Sequence, residues 1–433
     1  MLLLLLALQA NPVQQDSIPV ADSLPRITLA EALRRSTRLD PDYVQALGQI
    51  DNAEWGRRAA MLAFFVPTIS VGLDETKYSQ EFFNPANPAN PTSTLVVGRA
   101  SANYEIFSLR KFADVSRSKA DLASAEAGEL EQRFRAALET ESSYYDVLVN
   151  QELTRVTQER VTRARQGLAV ARARVTSGAA VQTDSLQLVL ELIRAQVEGL
   201  RQRNALRTAQ LELGRRVGAS APVDAVPADT AAPPPLPISL ADAVRIGLDQ
   251  GPQYRTARAN ENSADAALRA ERGDYLPVLS IGGVHQRYDT QLFPGASNIT
   301  SVTFSLSFPL WDNGQREIEL SRARVNRDVA RAIREDLERA VRRDVSSAYD
   351  TYETATAAVE LARVAVTVAQ QSYRMQDLRY RSGASTILDL LDAQVSLAEA
   401  EAGLVQARYQ TRLALAQLEA ILGRRLFSNK DAS

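Results

Sequence analysis

From about Arg110 to Thr176 the apolar positions recur at helical spacing without a proline, and only Gly128 and Gly167 weaken the run. A second run of the same kind extends from Gln315 to Arg381. At 1.5 Å per residue each predicts a rod of about 100 Å. A compact domain cannot contain such a rod, so it must lie in a coiled coil or a helical wall. In the second run Val325, Val329, Ile333, Leu337, Val341 and Val345 stand four apart. That spacing drifts around a helix instead of tracing one seam. Ala323, Ala330, Ala340 and Ala348 widen the packing surface, which predicts neighbours on two sides.

Elsewhere the period changes to two. Thr28 opens a short capped helix, and Asp40-Pro41 starts a longer one reaching about Phe65. After Pro67, Ile69, Val71 and Leu73 alternate with Ser70, Gly72 and Asp74, as in a strand with one apolar face. Ser79 to Thr94 is rich in Asn and Pro and predicts a loop. A second strand places Ala100, Ala102, Tyr104 and Ile106 against Arg99, Ser101, Asn103 and Glu105. Further on, Val302, Phe304, Leu306 and Phe308 alternate with Thr303, Ser305 and Ser307. Strands of about ten residues suit a bilayer-crossing barrel. A soluble hairpin would alternate in the same way, but these hairpins interrupt long helices that offer no obvious compact core.

Two short breaks end the long runs. Ser177-Gly178-Ala179 and Ser382-Gly383-Ala384 each supply a glycine for the positive φ of a helix terminus, and Ser385 or Thr386 can cap the next helix. Asp184 follows Gly178 by six residues, as Asp389 follows Gly383, and Asp392 lies one turn beyond Asp389. Thr28 to Tyr43 matches Ser239 to Tyr254, Ser142 to Asp146 matches Ser346 to Asp350, and Gly218 matches Gly423. The chain is therefore a tandem repeat. The first copy covers 27–218, with a helix, a β-hairpin at 67–107, a long helix at 110–177 and a helix at 181–217. A Pro-rich linker covers 219–237. The second copy begins at 238, with a hairpin at 277–310, a long helix at 315–382, a helix at 386–422 and a short tail to 433.

Composition narrows the chemistry. The 433 residues include no cysteine and one histidine, His285, so thiolate metal sites, a cysteine nucleophile and histidine-based triads are excluded or nearly so. No metal, cofactor or catalytic site is expected. A formal charge of -2 leaves no basic footprint for nucleic acid. Residues 1–26 read as a signal-like leader and N-terminal segment. The Leu-rich stretch Met1 to Ala10 resembles the apolar part of a secretory signal but lacks its basic start. His285 reads as a barrel-wall residue. Trp311 suits either a membrane interface or packing on the following helix.

The tandem halves, one hairpin per half, and the tips from Arg174 to Asp184 and from Tyr380 to Asp392 resemble the TolC-like outer-membrane efflux proteins. The resemblance covers Thr28 to Gly423. It implies a mainly α protein with membrane β: four strands per protomer in a trimeric, twelve-stranded outer-membrane barrel, above a periplasmic barrel of helices. It implies an exit duct of a tripartite efflux or type I secretion system in the outer membrane of a Gram-negative-type bacterium. The implied partners are two further copies, a periplasmic adaptor protein, an inner-membrane transporter of RND, ABC or MFS type, and outer-membrane lipid. Four strands alone would leave open edges in lipid, which agrees with an oligomer.

The resemblance also implies roles for single residues. Asp389 and Asp392 occupy the positions of the tunnel's narrowest acidic rings, which under threefold symmetry should titrate as a coupled set with some values raised. Tyr380 matches a tyrosine of the gate's hydrogen-bond network, and Asp184 an acidic partner on the neighbouring copy. The tip residues Ser177, Gly178, Ala179, Ser382, Gly383 and Ala384 would receive the adaptor. Ser385 stands where well-known members place an arginine that pairs with the acid, leaving Arg379 or Arg381 as substitutes. Acids in a first helical turn are also favoured by the helix dipole alone. A structural coiled-coil or membrane-curving protein without a channel is the rival reading, and it has no use for two pairs of alternating strands.

Overall fold

Four antiparallel strands form one sheet in the order β2 (Thr68–Phe82), β3 (Thr92–Phe107), β5 (Val278–Asp289) and β6 (Ser297–Ser307). The remaining elements are β1 (Arg26–Ile27), α1 (Leu29–Leu39), α2 (Pro41–Leu62), α3 (Leu109–Thr176), α4 (Gln182–Arg216), β4 (Asp224–Ala225), α5 (Leu240–Gln250), α6 (Pro252–Gly273), α7 (Gln315–Ser382) and α8 (Ile387–Leu422). The computed structural model describes residues 24–82, 84, 88–227, 235–290 and 297–427. The apolar stretch at Met1 to Ala10 and residues 228–234 of the Pro-rich linker lie outside the described residues. Among the described residues no helix is long and apolar enough to cross a membrane.

Local chemistry sets the helix starts. The Thr28 side chain accepts from the Glu31 N–H, Asp40 from Tyr43, and Ser239 from Asp242, with Pro41 preset for the first turn of α2. Strand order then fixes the wall. β2 follows α2, β3 precedes α3, β5 follows α6 and β6 precedes α7. The helices near the sheet pack in the same sequence, α2 on α3, α3 on α6 and α6 on α7. At the other end of the long helices, α4 packs on α3, α3 on α8 and α8 on α7. Sheet and wall therefore share their two open edges, β2 with α2 and α4 on one side, β6 with α7 on the other.

The register places Ile69, Ala102, Gly283 and Val302 in one row across the sheet, and Ser70, Ser101, Val284 and Ser301 in the next. Ile69, Val71, Phe304 and Leu306 are well exposed on the apolar side. His285 lies in β5 and shares a hydrogen bond at 2.8 Å with Thr300 of β6. Trp311 is exposed beyond the end of β6. The hairpin strands are longer than the Asn/Pro-rich loop suggests, because β2 continues to Phe82 and β3 starts at Thr92.

Two cores sit at mid-height. One gathers Ile27, Ala32, Tyr144, Leu148, Leu213 and Val223 where α1 meets α3 and α4; the other gathers Ala243, Val341, Val345, Leu418 and Leu422 where α5 meets α7 and α8. The stretch expected as a Pro-rich linker contributes to the first. Asp224 and Ala225 pair in parallel with Arg26 and Ile27, which satisfies backbone groups while Val223 and Ala225 bury their side chains.

The spacing of four along α7 has its expected consequence. Each step advances 40° beyond a full turn. Val325, Val329 and Ile333 are more than half exposed at the edge, whereas Val341 and Val345 are 4% and 0% exposed under α5 and α8.

Candidate gate and docking tips

Both hairpin tips close by the same backbone device. At the end of α3, Gly178 takes φ +75°, its N–H reaches the Val175 carbonyl at 3.0 Å, and the Ala179 N–H reaches Arg174 at 2.8 Å. At the end of α7, Gly383 takes φ +81°, with the matching bonds to Tyr380 at 3.1 Å and from Ala384 to Arg379 at 2.8 Å. These are glycine-terminated helix ends that satisfy the last carbonyls. The Ser177 and Ser382 hydroxyls donate to the Arg174 and Arg379 carbonyls at 3.0 Å each. All three small residues of each tip are exposed.

The next helix starts differently in the two halves. Thr386, not Ser385, is the cap of α8. Its hydroxyl accepts from the Asp389 N–H at 3.3 Å, and Asp389 accepts from the Thr386 N–H at 2.9 Å. The N–H and hydroxyl of Thr386, with Arg379 nearby, hold the Asp389 carboxyl below its ordinary pKa. Within one protomer this is opposite in direction to the raised values expected of crowded acids, because Asp389 is exposed and already satisfied. Asp392 is exposed, and among the described residues no hydrogen bond or ion pair engages it. Val181 starts α4 with no side-chain cap, which leaves Asp184 free of that task.

Asp184 is half-buried beside Tyr380 of the same chain. Tyr380 is 1% exposed, and its hydroxyl completes no hydrogen bond of ordinary geometry among the described residues. Burial pushes the phenol up, the Asp184 charge adds to this, and Arg174 opposes it. Below the ring, Leu168, Ala171, Leu188, Ile387 and Leu390 form the core of the paired tips. The Ser385 hydroxyl is buried and has no hydrogen-bond partner among the described residues. Of the two possible substitutes for the missing arginine, Arg381 pairs with Asp377 at 2.9 Å, and Arg379 reaches the Ala384 carbonyl at 3.5 Å.

Sequence reasoning passed over Arg174. One guanidinium nitrogen donates to the Tyr380 carbonyl, the other to Ala179 at 3.0 Å, and the group lies 4.7 Å from the Tyr380 ring centre. Its position four residues before Gly178, as Arg379 precedes Gly383, was the signal available.

A family model described as "Outer membrane efflux protein" matches residues 22–219 and 246–424. Outer membrane protein OprJ of Pseudomonas aeruginosa is 26% identical over 401 residues, covering 90% of this chain and 80% of that protein. Outer membrane efflux protein BepC of Brucella suis is 24% identical over 275 residues, 63% of this chain and 60% of that protein, so the match spans less than two thirds of the Brucella relative. Among solved structures, CusC superposes with a TM-score of 0.79 at 15% identity, covering 93% of each chain, a likeness of fold.

Proposed function

The chain belongs to the outer membrane efflux protein family, and we propose that its working form is a homotrimer serving as the exit duct of a tripartite pump. It is an outer-membrane efflux channel with a TolC-like fold, a helical barrel carrying a β portion. Three protomers would close twelve strands into one barrel and remove the open β2 and β6 edges.

One observation carries this reading. Along α4, Leu186, Leu190, Ile193, Val197 and Leu200 alternate spacings of four and three, and all are exposed. Along α7, Leu361, Val364, Val368, Met375 and Leu378 fall on a second exposed seam of heptad spacing. The two seams lie on opposite edges of one protomer. Docked on the other seam of the next protomer, each would make a head-to-tail contact of the kind that closes a ring. Ile318, Val325, Val329 and Ile333 of α7 and Val44, Leu47 and Leu62 of α2 extend these edges towards the sheet.

The tips would receive a periplasmic adaptor linked to an inner-membrane transporter, since their small exposed residues admit close approach. Asp389 and Asp392 would line the entrance, and the duct would carry no catalytic step of its own. The test is assembly and conduction together. Light scattering with detergent subtracted should give three chains, and planar bilayers should show a cation-selective channel blocked by trivalent cations from the tip side. A stable, non-conducting monomer would overturn the proposal.

A further inference from the structure

We propose that Arg174 clasps the two hairpin tips of each protomer into one moving unit and so limits the freedom of the channel entrance, an inference that rests on the channel reading above. Three contacts converge on one side chain: the Ala179 carbonyl of its own tip at 3.0 Å, the Tyr380 carbonyl near the end of α7, and the face of the Tyr380 ring at 4.7 Å. The Tyr380 carbonyl already accepts the Gly383 N–H at 3.1 Å, so Arg174 takes its second lone pair. Both carbonyls lie at helix C-termini, where a cation is favoured, and charge-assisted bonds are the stronger kind.

The repeat supplies an internal control. Arg379 stands where Arg174 does and reaches the matching carbonyl of its own tip, Ala384, at 3.5 Å. It is exposed, and among the described residues no hydrogen bond or ion pair joins it to the other tip. The contact five residues ahead is thus a shared local feature, while the reach across tips belongs to Arg174. The guanidinium lies against the turn of the second tip, 3.4 Å from where a Cβ on Gly383 would stand. A lysine keeps the charge but cannot bridge two carbonyls and stack on the ring at once. Parting α3 and α4 from α7 and α8 at their tips breaks both contacts to Tyr380 and leaves the one to Ala179, so an entrance that widens within a protomer must first free Tyr380 from this residue.

The chain has no cysteine, so spin labels at Ser177→Cys and Ser382→Cys report only the tip-to-tip distance. Labelled chains diluted into excess unlabelled chain isolate the distance within one protomer. The parent should give one narrow distance. R174Q should lengthen and broaden it and raise the resting conductance about fivefold or more, within the usual range of coupling between sites. R174K should fall between, and it decides the matter if R174Q does not assemble. An R174Q distance and conductance equal to the parent's would overturn the clasp. A parent trimer that conducts nothing would sink the channel reading instead, while the distances still decide the clasp.

Discussion

Asp389 and Thr386 cap each other, the carboxylate accepting the Thr386 N–H at 2.9 Å and the hydroxyl accepting the Asp389 N–H at 3.3 Å. Asp392, one turn further, has no such task, so its substitution tests conduction apart from the cap. Thr386→Ala should cost about 1 kcal/mol, the usual effect of losing a cap. Asp392→Asn should leave thermal stability within about 0.5 kcal/mol of the parent. In planar bilayers it should weaken cation selectivity and trivalent block. Unchanged selectivity and block in Asp392→Asn would remove this acid from the pore.

The same cap sets a pH dependence. Hydrogen bonds from Thr386 hold the Asp389 carboxyl below its ordinary value, so its contribution is present above the unfolded value of about 3.9 and is lost as pH falls through the folded value. Acidification should therefore lower hydrogen-exchange protection in the first turn of α8, measured against the intrinsic rate at each pH. Asp389→Asn should show low protection there at neutral pH already, with little further change on acidification.

Gly178 and Gly383 sit in the left-handed region, where any side chain is strained by about 1–2 kcal/mol. A Cβ at Gly178 meets nothing within 4 Å, so the added side chain would project into open space. Gly178→Leu with Gly383→Leu should abolish efflux in cells while the assembly still reaches the outer membrane. Normal efflux from the double variant would mean that the adaptor docks elsewhere.

Leu190→Asp with Ile193→Asp should block assembly without unfolding the protomer. Both residues are exposed within one chain, so the fold loses little, whereas burying two carboxylates in a seam is costly. Light scattering should report monomers with undiminished helical circular dichroism. Intact trimers would show that α4 is not an interface helix.

Glu141 of α3 and Glu419 of α8 are 3% and 4% exposed and share the guanidinium of Arg425, which pairs with Glu419 at 2.8 Å. Arg425→Ala should cost about 2–3 kcal/mol, below the range for a fully buried pair because Arg425 is itself half exposed. Burial pushes the Glu141 carboxyl up, so the deficit should shrink as pH falls from neutral towards its unfolded value of about 4.3. Thermal unfolding of the variant at a series of pH values checks the sign.

Periodicity, helix ends and the repeat were legible in the chain itself, because they rest on interactions within about five residues. The spacing of four on α7 foretold an apolar line that drifts around the helix. Gly178 and Gly383 marked the tips, and Thr386 was open to reading as a cap. Contacts between distant segments were not legible. Nothing local distinguishes Arg174 from Arg379, and the difference appears only when α3 and α7 lie side by side with their ends level. Asp184 and Asp389 occupy matching positions, yet one lies beside a buried phenol and the other closes a capping box. Arg425 meets Glu141 across 284 residues, and β4 finds its partner at the far end of the first repeat. The register between long helices decides such pairings. That register is set by the summed packing of two mid-height cores and one sheet, which no single stretch of sequence contains.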